Sequence, residues 1–428
     1  MRVDHHAGLR HPFVVLFLGS IGALVSPTPL RAAGFAITAQ GGGAMALSSA
    51  FTARADDPSA LYYNPAGISQ LQTTTVLVGA TSIRPHTDYE PVSTGGQAEE
   101  RERFYVLPYF YATQPVGPQV TLGVGVFSPF GLSTKWPTDW DGLFQVVDAT
   151  IRVATFNPVV AWKPAAWLTV AGGMHYSKVR LAENRAINFA VQFPGASEGT
   201  VSLEGEAQAL GYLGAVLVSP SPRWQIGVSY RSRAHAEVND GQADFTVPPP
   251  FSATFTDGPI RTDVTLPPSL RTGVLFRPAA AWNIEADWTW TGWSTIDQLE
   301  IAFANGLPTD VTKFGWQNAM TYSVGVEYQL ASAVRVRSGY LYDATPIPDD
   351  RANPLIPDAD RQGVSIGLGY DTPHWATDVG YQFLWFEREK ENDVGAGSSS
   401  AVPLVDARAN GIYRSNAHVF GVSMEWRF

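Results

Sequence analysis

The residues best able to do chemistry in this sequence are arginines. Arg231, Arg233, Arg271, Arg335 and Arg337 sit at alternate positions of short segments, on a polar face shared with Glu285, Asp287, Glu327, Asp378, Glu425 and Arg427. A guanidinium offers two parallel N–H donors that fit a carboxylate. Each of the five is therefore a candidate contact for an acidic ligand. Pairing with a carboxylate on a neighbouring strand is the competing role, because enclosed charges need partners. Arg271 with Glu285 or Asp287 is one such pair. Other chemistries lack their residues. The chain has no cysteine, which removes disulfides, thiolate metal sites and thiol nucleophiles. Its eight histidines form no HExxH or paired metal spacing, and no GxSxG occurs. The sequence implies no enzyme, no metal and no cofactor.

The elements that carry these arginines follow from composition and period. Of 428 residues only 16% are charged and 12% are aromatic, whereas soluble proteins carry about 25% charge. Mean hydropathy is nevertheless close to zero. The formal charge of −10 leaves no basic footprint for nucleic acid. Arg2 and Arg10 precede an apolar run from Phe13 to Val25, and small residues follow at Ala32 and Ala33. That pattern predicts a secretory signal over residues 1–32. Beyond it no apolar run is long enough for a spanning helix. The mature chain is either periplasmic or an outer-membrane barrel, and the period decides between them.

From about residue 73 to the end the period is two. Trp224, Ile226, Val228 and Tyr230 alternate with polar residues, as do Trp282, Ile284, Ala286, Trp288 and Trp290. The final segment sets Phe420, Val422, Met424, Trp426 and Phe428 against Gly421, Ser423, Glu425 and Arg427. Such alternation describes strands with one apolar and one polar face. About 14 strands are expected, centred near residues 78, 107, 123, 156, 174, 210, 230, 270, 291, 324, 339, 366, 381 and 422. Short Pro- and Ala-rich connections alternate with long ones, and aromatic residues mark both strand ends. These features predict an all-β fold, a 14-stranded antiparallel transmembrane β-barrel of the outer membrane over residues 73–428. Residues 33–72 fit no strand, yet Phe35, Leu61, Tyr62 and Tyr63 need burial. This segment is expected inside the barrel as a plug.

Gly34-Phe35, the run from Asp56-Asp57-Pro58 to Asn64-Pro65-Ala66-Gly67, and the strand ending at Phe428 resemble the FadL/TodX-type transporters of long-chain fatty acids and other hydrophobic compounds. Val126 to Leu132 and Trp290 to Ser294 also look like segments of that family. The resemblance implies a 14-stranded barrel with an N-terminal hatch and passive uptake of hydrophobic ligands. It further implies capture on extracellular loops, a pocket between wall and hatch, and lateral release at a kink in the third strand. Gly34, Phe35, Asn64, Pro65 and Ala66 are then expected at the pocket and hatch. Gly123, Gly125, Ser128 and Pro129 are expected at the lateral opening, since Gly and Pro weaken a ladder; lumen crowding is the other explanation for the two glycines. Phe130, Leu132, Trp136, Trp140, Leu143 and Phe144 are unusually apolar for a loop. They either form a capture groove or cover the barrel mouth. The family's carboxylate-binding residues match no motif here, so none is carried over to the five arginines.

Partners follow from this reading. They are a hydrophobic small molecule, outer-membrane lipid and, through the terminal aromatic strand, the barrel assembly machinery; the chain is expected to be monomeric. Fatty acids and aromatic hydrocarbons are both open as ligands. A general hydrophilic porin is the alternative class, and a plug argues against it.

Overall fold

Alternating sequences form strands whose two faces meet different surroundings, and in a membrane the resulting sheet must close on itself to satisfy every backbone group. The computed structural model, described here over residues 34–92, 96–101, 103–191, 193–391 and 409–428, does so. The expected signal segment lies outside the described residues. Fourteen antiparallel strands form a closed barrel. They are β1 (Thr75–Pro91), β2 (Tyr105–Pro115), β3 (Val120–Phe127), β4 (Asp148–Ala165), β5 (Leu168–Ile187), β6 (Gly199–Ser221) and β7 (Trp224–Arg231, resuming over Ala234–Thr246). The second half is β8 (Gly258–Leu266, resuming over Ser269–Phe276), β9 (Trp282–Thr291), β10 (Ala319–Ala331), β11 (Val334–Asp343), β12 (Arg361–Asp371), β13 (Trp375–Lys390) and β14 (Gly411–Arg427). The expected centres fall within or at the ends of these strands. Several strands run further into the long loops than the period indicated.

The last strand closes on the first, with Val76 opposite Trp426 and Val78 opposite Met424. Turns between β2 and β3, β4 and β5, and β6 and β7 are short, and all the long connections lie at the other end. Outward Trp162, Trp167, Trp224 and Trp282 are exposed near the short turns, while Phe156, Tyr176 and Tyr212 are exposed further up the wall. Two aromatic levels of this kind mark the two interfaces of a membrane.

Two neighbouring strands are interrupted. In β7 the lumen-facing positions are Ser229 and Arg231 before the interruption but Ala234 and Ala236 after it. One extra residue at Ser232-Arg233 therefore reverses the alternation, as a bulge does. Pro267-Pro268 has the same effect in β8, where Leu266 and then Arg271 face inward. A third interruption ends β3 at Phe127, and the chain then continues as a short strand, Gly131–Lys135, that pairs with β4 alone.

Candidate ligand cavity and the N-terminal segment

Residues 34–72 pack against the lumen side of the wall, and their short helices Gly42–Met45 and Ala60–Tyr63 are buried throughout. The wall makes room with glycines. A Cβ on Gly227 would lie 2.1 Å from the Thr52 carbonyl oxygen, and one on Gly123 would lie 2.6 Å from Leu61. Wall carboxylates then supply acceptors that this irregular backbone cannot find within itself. Asp287 accepts from the Phe51 and Thr52 amides at 3.0 and 2.9 Å, and Glu285 from the Ala53 and Arg54 amides at 2.5 and 3.0 Å. Arg54 bonds Glu327 at 2.9 Å. Glu327 also holds Arg337 at 2.7 Å, and Arg337 in turn pairs with Asp378. The expected pairing of Arg271 with Glu285 or Asp287 is thus not formed, because backbone amides occupy both carboxylates.

Asn64 caps the following 3-10 turn, Pro65–Gln70, by accepting from the Ala66 amide at 3.1 Å. Its Nδ2 donates to the carbonyls of Thr52, 2.8 Å away, and Val216, 3.1 Å away. Asn64, Pro65 and Ala66 therefore brace the segment against β6 and stand apart from the cavity. Gly34 and Phe35 do line it.

That cavity has a volume of about 720 Å³ and lies above the packed segment, within the usual range of about 300–1,000 Å³ for a small-molecule site. Phe35 is its central side chain, 5.8 Å from the Phe130 ring and 4.8 Å from the Trp293 ring. Trp316 closes the cluster at 5.3 Å from Trp293. Phe130 and Trp293 come from the two distant segments singled out in the sequence.

The wall is open where β3 ends. β2 pairs with β3 only from Phe110 to Pro115, so Tyr105 to Tyr109 lack a partner on that side. The departing chain is held instead by the N-terminal segment: the Ile37 amide donates to the Pro129 carbonyl at 2.9 Å, Gly131 N–H to the Phe35 carbonyl at 3.0 Å, and Gln40 Nε2 to the Ser128 carbonyl at 2.5 Å. The cavity lining includes inward Leu107 and Phe130 but also outward Val106, Pro108, Arg152 and Lys178, so it reaches residues of both faces at this break. Ser128 and Pro129 stand at the break itself, and Ser128 lines the cavity. Gly123 and Gly125 do not, because they are paired on both sides, with Thr113 and Tyr111 of β2 and with Val159 and Asn157 of β4. Their lack of a side chain admits the N-terminal segment and Tyr111 rather than opening the ladder.

The five arginines separate into distinct roles. Arg335 faces Asp371 at 3.4 Å, and Arg337 is engaged as above. Arg233 is exposed on the outer face because the β7 bulge turned it there. Arg231 and Arg271 remain in the lumen without a carboxylate partner among the described residues. Arg271 lines the cavity, donates to the Tyr62 hydroxyl at 2.7 Å and lies 4.4 Å over the Tyr62 ring. Arg231 donates to Asn157 Oδ1 at 3.0 Å, while its buried Nη1 has no acceptor. Arg231 is opposite Ser269 and Arg271 is opposite Ser229, so the two are diagonal neighbours.

The apolar loop after β3 divides as well. Phe130 and Leu132 line the cavity. Trp136 and Trp140 are buried and stacked at 4.4 Å, packed on Tyr89 and Tyr413, with Leu143 and Phe144 half-buried beside the loop. They pack into a buried aromatic cluster that leaves no open groove at those two tryptophans. The loop after β11 brings Asp358 to the N-terminal segment, where it accepts from the Gly34 amide at 3.1 Å and from Thr345 Oγ1 at 2.6 Å. Burial pushes the Asp358 carboxyl up to about 6, against the opposing pull of Arg361. Sequence alone gave no signal for Asp358, Glu285 or Asp287 as holders of this segment, since each bonds to backbone.

Known proteins share this fold. The family described as outer membrane protein transport protein (OMPP1/FadL/TodX) matches residues 22–428. An outer membrane protein of Neisseria meningitidis serogroup B, NMB0088, is 23% identical over 97% of this chain and 98% of its own length. The long-chain fatty acid transport protein of Escherichia coli K12 is 22% identical over 79% and 84%. Among solved structures, a Pseudomonas aeruginosa FadL homologue superposes with a TM-score of 0.80 at 18% identity, covering 92% of this chain and 100% of that one. The toluene transporter TodX of Pseudomonas putida gives 0.65 at 15% identity, covering 87% and 94%.

Proposed function

The chain belongs to the OMPP1/FadL/TodX family of outer-membrane transport proteins for hydrophobic compounds, and from that premise we propose that its ligand is a long-chain fatty acid. It is a channel of the Gram-negative outer membrane and not an enzyme. In this reading the ligand enters past the long loops, lodges against Phe35, Phe130 and Trp293, and leaves sideways through the break after β3. Residues 34–72 act as the hatch that keeps the lumen closed to polar solutes. The observation that carries the acidic ligand is Arg271, an inward cation at the cavity with no carboxylate partner among the described residues, backed by Arg231 with an unsatisfied Nη1. An enclosed guanidinium without a counter-ion is costly, and a ligand carboxylate would supply one.

The test compares oleate and toluene uptake by cells carrying the parent or Arg271→Ala. A charge-assisted hydrogen bond contributes about 1.5–3 kcal/mol, so oleate affinity should fall about 10- to 100-fold while toluene uptake is kept. Equal oleate affinity in the variant removes Arg271 as the head-group contact. The aromatic cluster around Phe35 favours a second reading, in which an aromatic hydrocarbon is the ligand. Toluene uptake without oleate uptake in the parent protein would select it.

A further inference from the structure

The outer surface beside the break in the wall carries a separate feature. Phe156, Tyr176 and Leu210 lie in register across β4, β5 and β6, and all three are exposed outward. The next outward row is Ala154, Lys178 and Gln208, and the row above it is Arg152, Arg180 and Glu206. The surface therefore changes from apolar to charged within two rows, as it must where the hydrocarbon ends and lipid head groups begin.

Arg152 and Arg180 are directly opposed across the ladder. Like charges in that position are unfavourable on their own. Glu204 bonds Arg180 Nη2 at 3.1 Å, and Glu206, engaged by Lys178 at 2.7 Å, also lies 3.9 Å from Arg180 Nη1. Arg152 is exposed and makes no hydrogen bond or ion pair among the described residues. Its whole fork is available, while Arg180 is held beside it by the two glutamates. Arg152 also pairs with Gly131, the first residue of the strand that departs from the break, and Arg152, Lys178 and Arg180 border the cavity where it reaches the outer face.

We propose that Arg152 and Arg180 seat a phosphate group of an anionic glycolipid of the outer leaflet, at the edge of the lateral opening. The free fork of Arg152, facing a second guanidinium that Glu204 and Glu206 hold in place, suits the several oxygens of a phosphate. The aromatic row beneath them sets the depth at which the acyl chains of the same lipid begin. Such a lipid would lie against the wall just where the cavity opens, whichever cargo the cavity carries.

Bisphosphoryl lipid A in dodecyl maltoside micelles is titrated into the purified full chain, and complexes are counted by native mass spectrometry. The parent should bind bisphosphoryl lipid A at least tenfold more tightly than its dephosphorylated form. The double variant Arg152→Gln/Arg180→Gln should lose that preference while staying heat-modifiable on a gel. Arg152→Gln alone removes an exposed side chain that makes no hydrogen bond or ion pair among the described residues, so it should keep the fold and show a severalfold loss. Inorganic phosphate and laurate at the same concentration should compete weakly, since neither places acyl chains on the aromatic row in this pose. Equal binding of the dephosphorylated lipid, or an unchanged preference in both variants, overturns the seat. Displacement of the lipid by inorganic phosphate at equal concentration reassigns the site to a free anion, and displacement by laurate reassigns it to cargo; either result overturns the lipid assignment.

Discussion

Asp287→Ala is the most direct test of how the N-terminal segment is held. The substitution removes the acceptor of the Phe51 and Thr52 amides, which bond the same carboxylate oxygen at 3.0 and 2.9 Å. Each buried donor left without a partner costs about 1–3 kcal/mol. Two donors at the lower bound give about 2 kcal/mol, or about a 30-fold larger population in which this stretch is displaced. The barrel itself keeps its ladders, since Asp287 contributes to them only through backbone. Hydrogen exchange followed by mass spectrometry should show faster exchange in the peptide containing residues 51–54 and little change in β12 or β13. Liposome swelling with a small sugar should rise in parallel if the segment is a hatch. Asp287→Asn retains a carbonyl oxygen as acceptor and should fall between parent and Ala. Unchanged exchange at residues 51–54 in Asp287→Ala would show that the wall carboxylates do not hold the segment. Faster exchange without added permeability would separate anchoring from gating and refute only the latter.

Other perturbations reach other parts of the molecule. Gly123→Leu drives a side chain into Leu61 and Ile68, whose atoms lie within 2.6 and 2.9 Å of the new Cβ; overpacking of this kind costs about 1–3 kcal/mol, so sugar permeability should rise, whereas Ser128→Trp should lower oleate uptake with permeability unchanged. Burial holds the Asp358 carboxyl near 6 against an ordinary 3.8, so the folded loop binds a proton between those values that the unfolded chain does not; docking of the loop is strongest below about pH 4 and weakens as pH rises through 6. Trypsin cleavage after the half-buried Arg351 should accordingly be faster at pH 7.5 than at pH 5, and Asp358→Asn should flatten that difference. Deleting Phe428, which is 76% exposed at the end of β14, should sharply reduce protein in the outer membrane while detergent-refolded protein remains heat-modifiable; a normal surface level would reduce Phe428 to a lipid-facing residue.

The barrel was legible because its rule is local. Each strand repeats the same two-residue alternation, and closure at Val76 opposite Trp426 follows once the final stripe is recognised as lipid-facing. Arg233 shows where that rule fails. Period two carries it to the lumen, but the extra residue at Ser232-Arg233 shifts every later position by one, and neither residue type announces a bulge. Pro267-Pro268 did carry a signal of that kind, since proline cannot donate to a ladder. The roles of Glu285 and Asp287 were illegible for a different reason. A carboxylate on a lumen face looks the same in sequence whether it meets an arginine or the amides of a distant segment. The tryptophans at 136 and 140 were visible as an apolar cluster, but only the fold decides that they pack on Tyr89 and Tyr413.

Gly123 and Gly125 lie outside the break in the wall, for a physical reason that bears on how the channel could work. Glycine weakens a ladder only modestly, and here both strands beside β3 remain paired to it. What ends the pairing is the turn at Ser128-Pro129, where proline has no N–H to donate. Broken strand edges cannot face lipid with free carbonyls. The Ser128 and Pro129 carbonyls are therefore turned inward, where Gln40 and Ile37 donate to them. The N-terminal segment that carries Phe35 into the cavity is thus the same segment that makes the break tolerable. A ligand that displaced Phe35 would pull on Ile37 and Gln40, two and five residues further along the chain. On the proposed reading, filling the cavity and loosening the edge of the break would then be one mechanical event, without any need for a coupling path through the barrel wall.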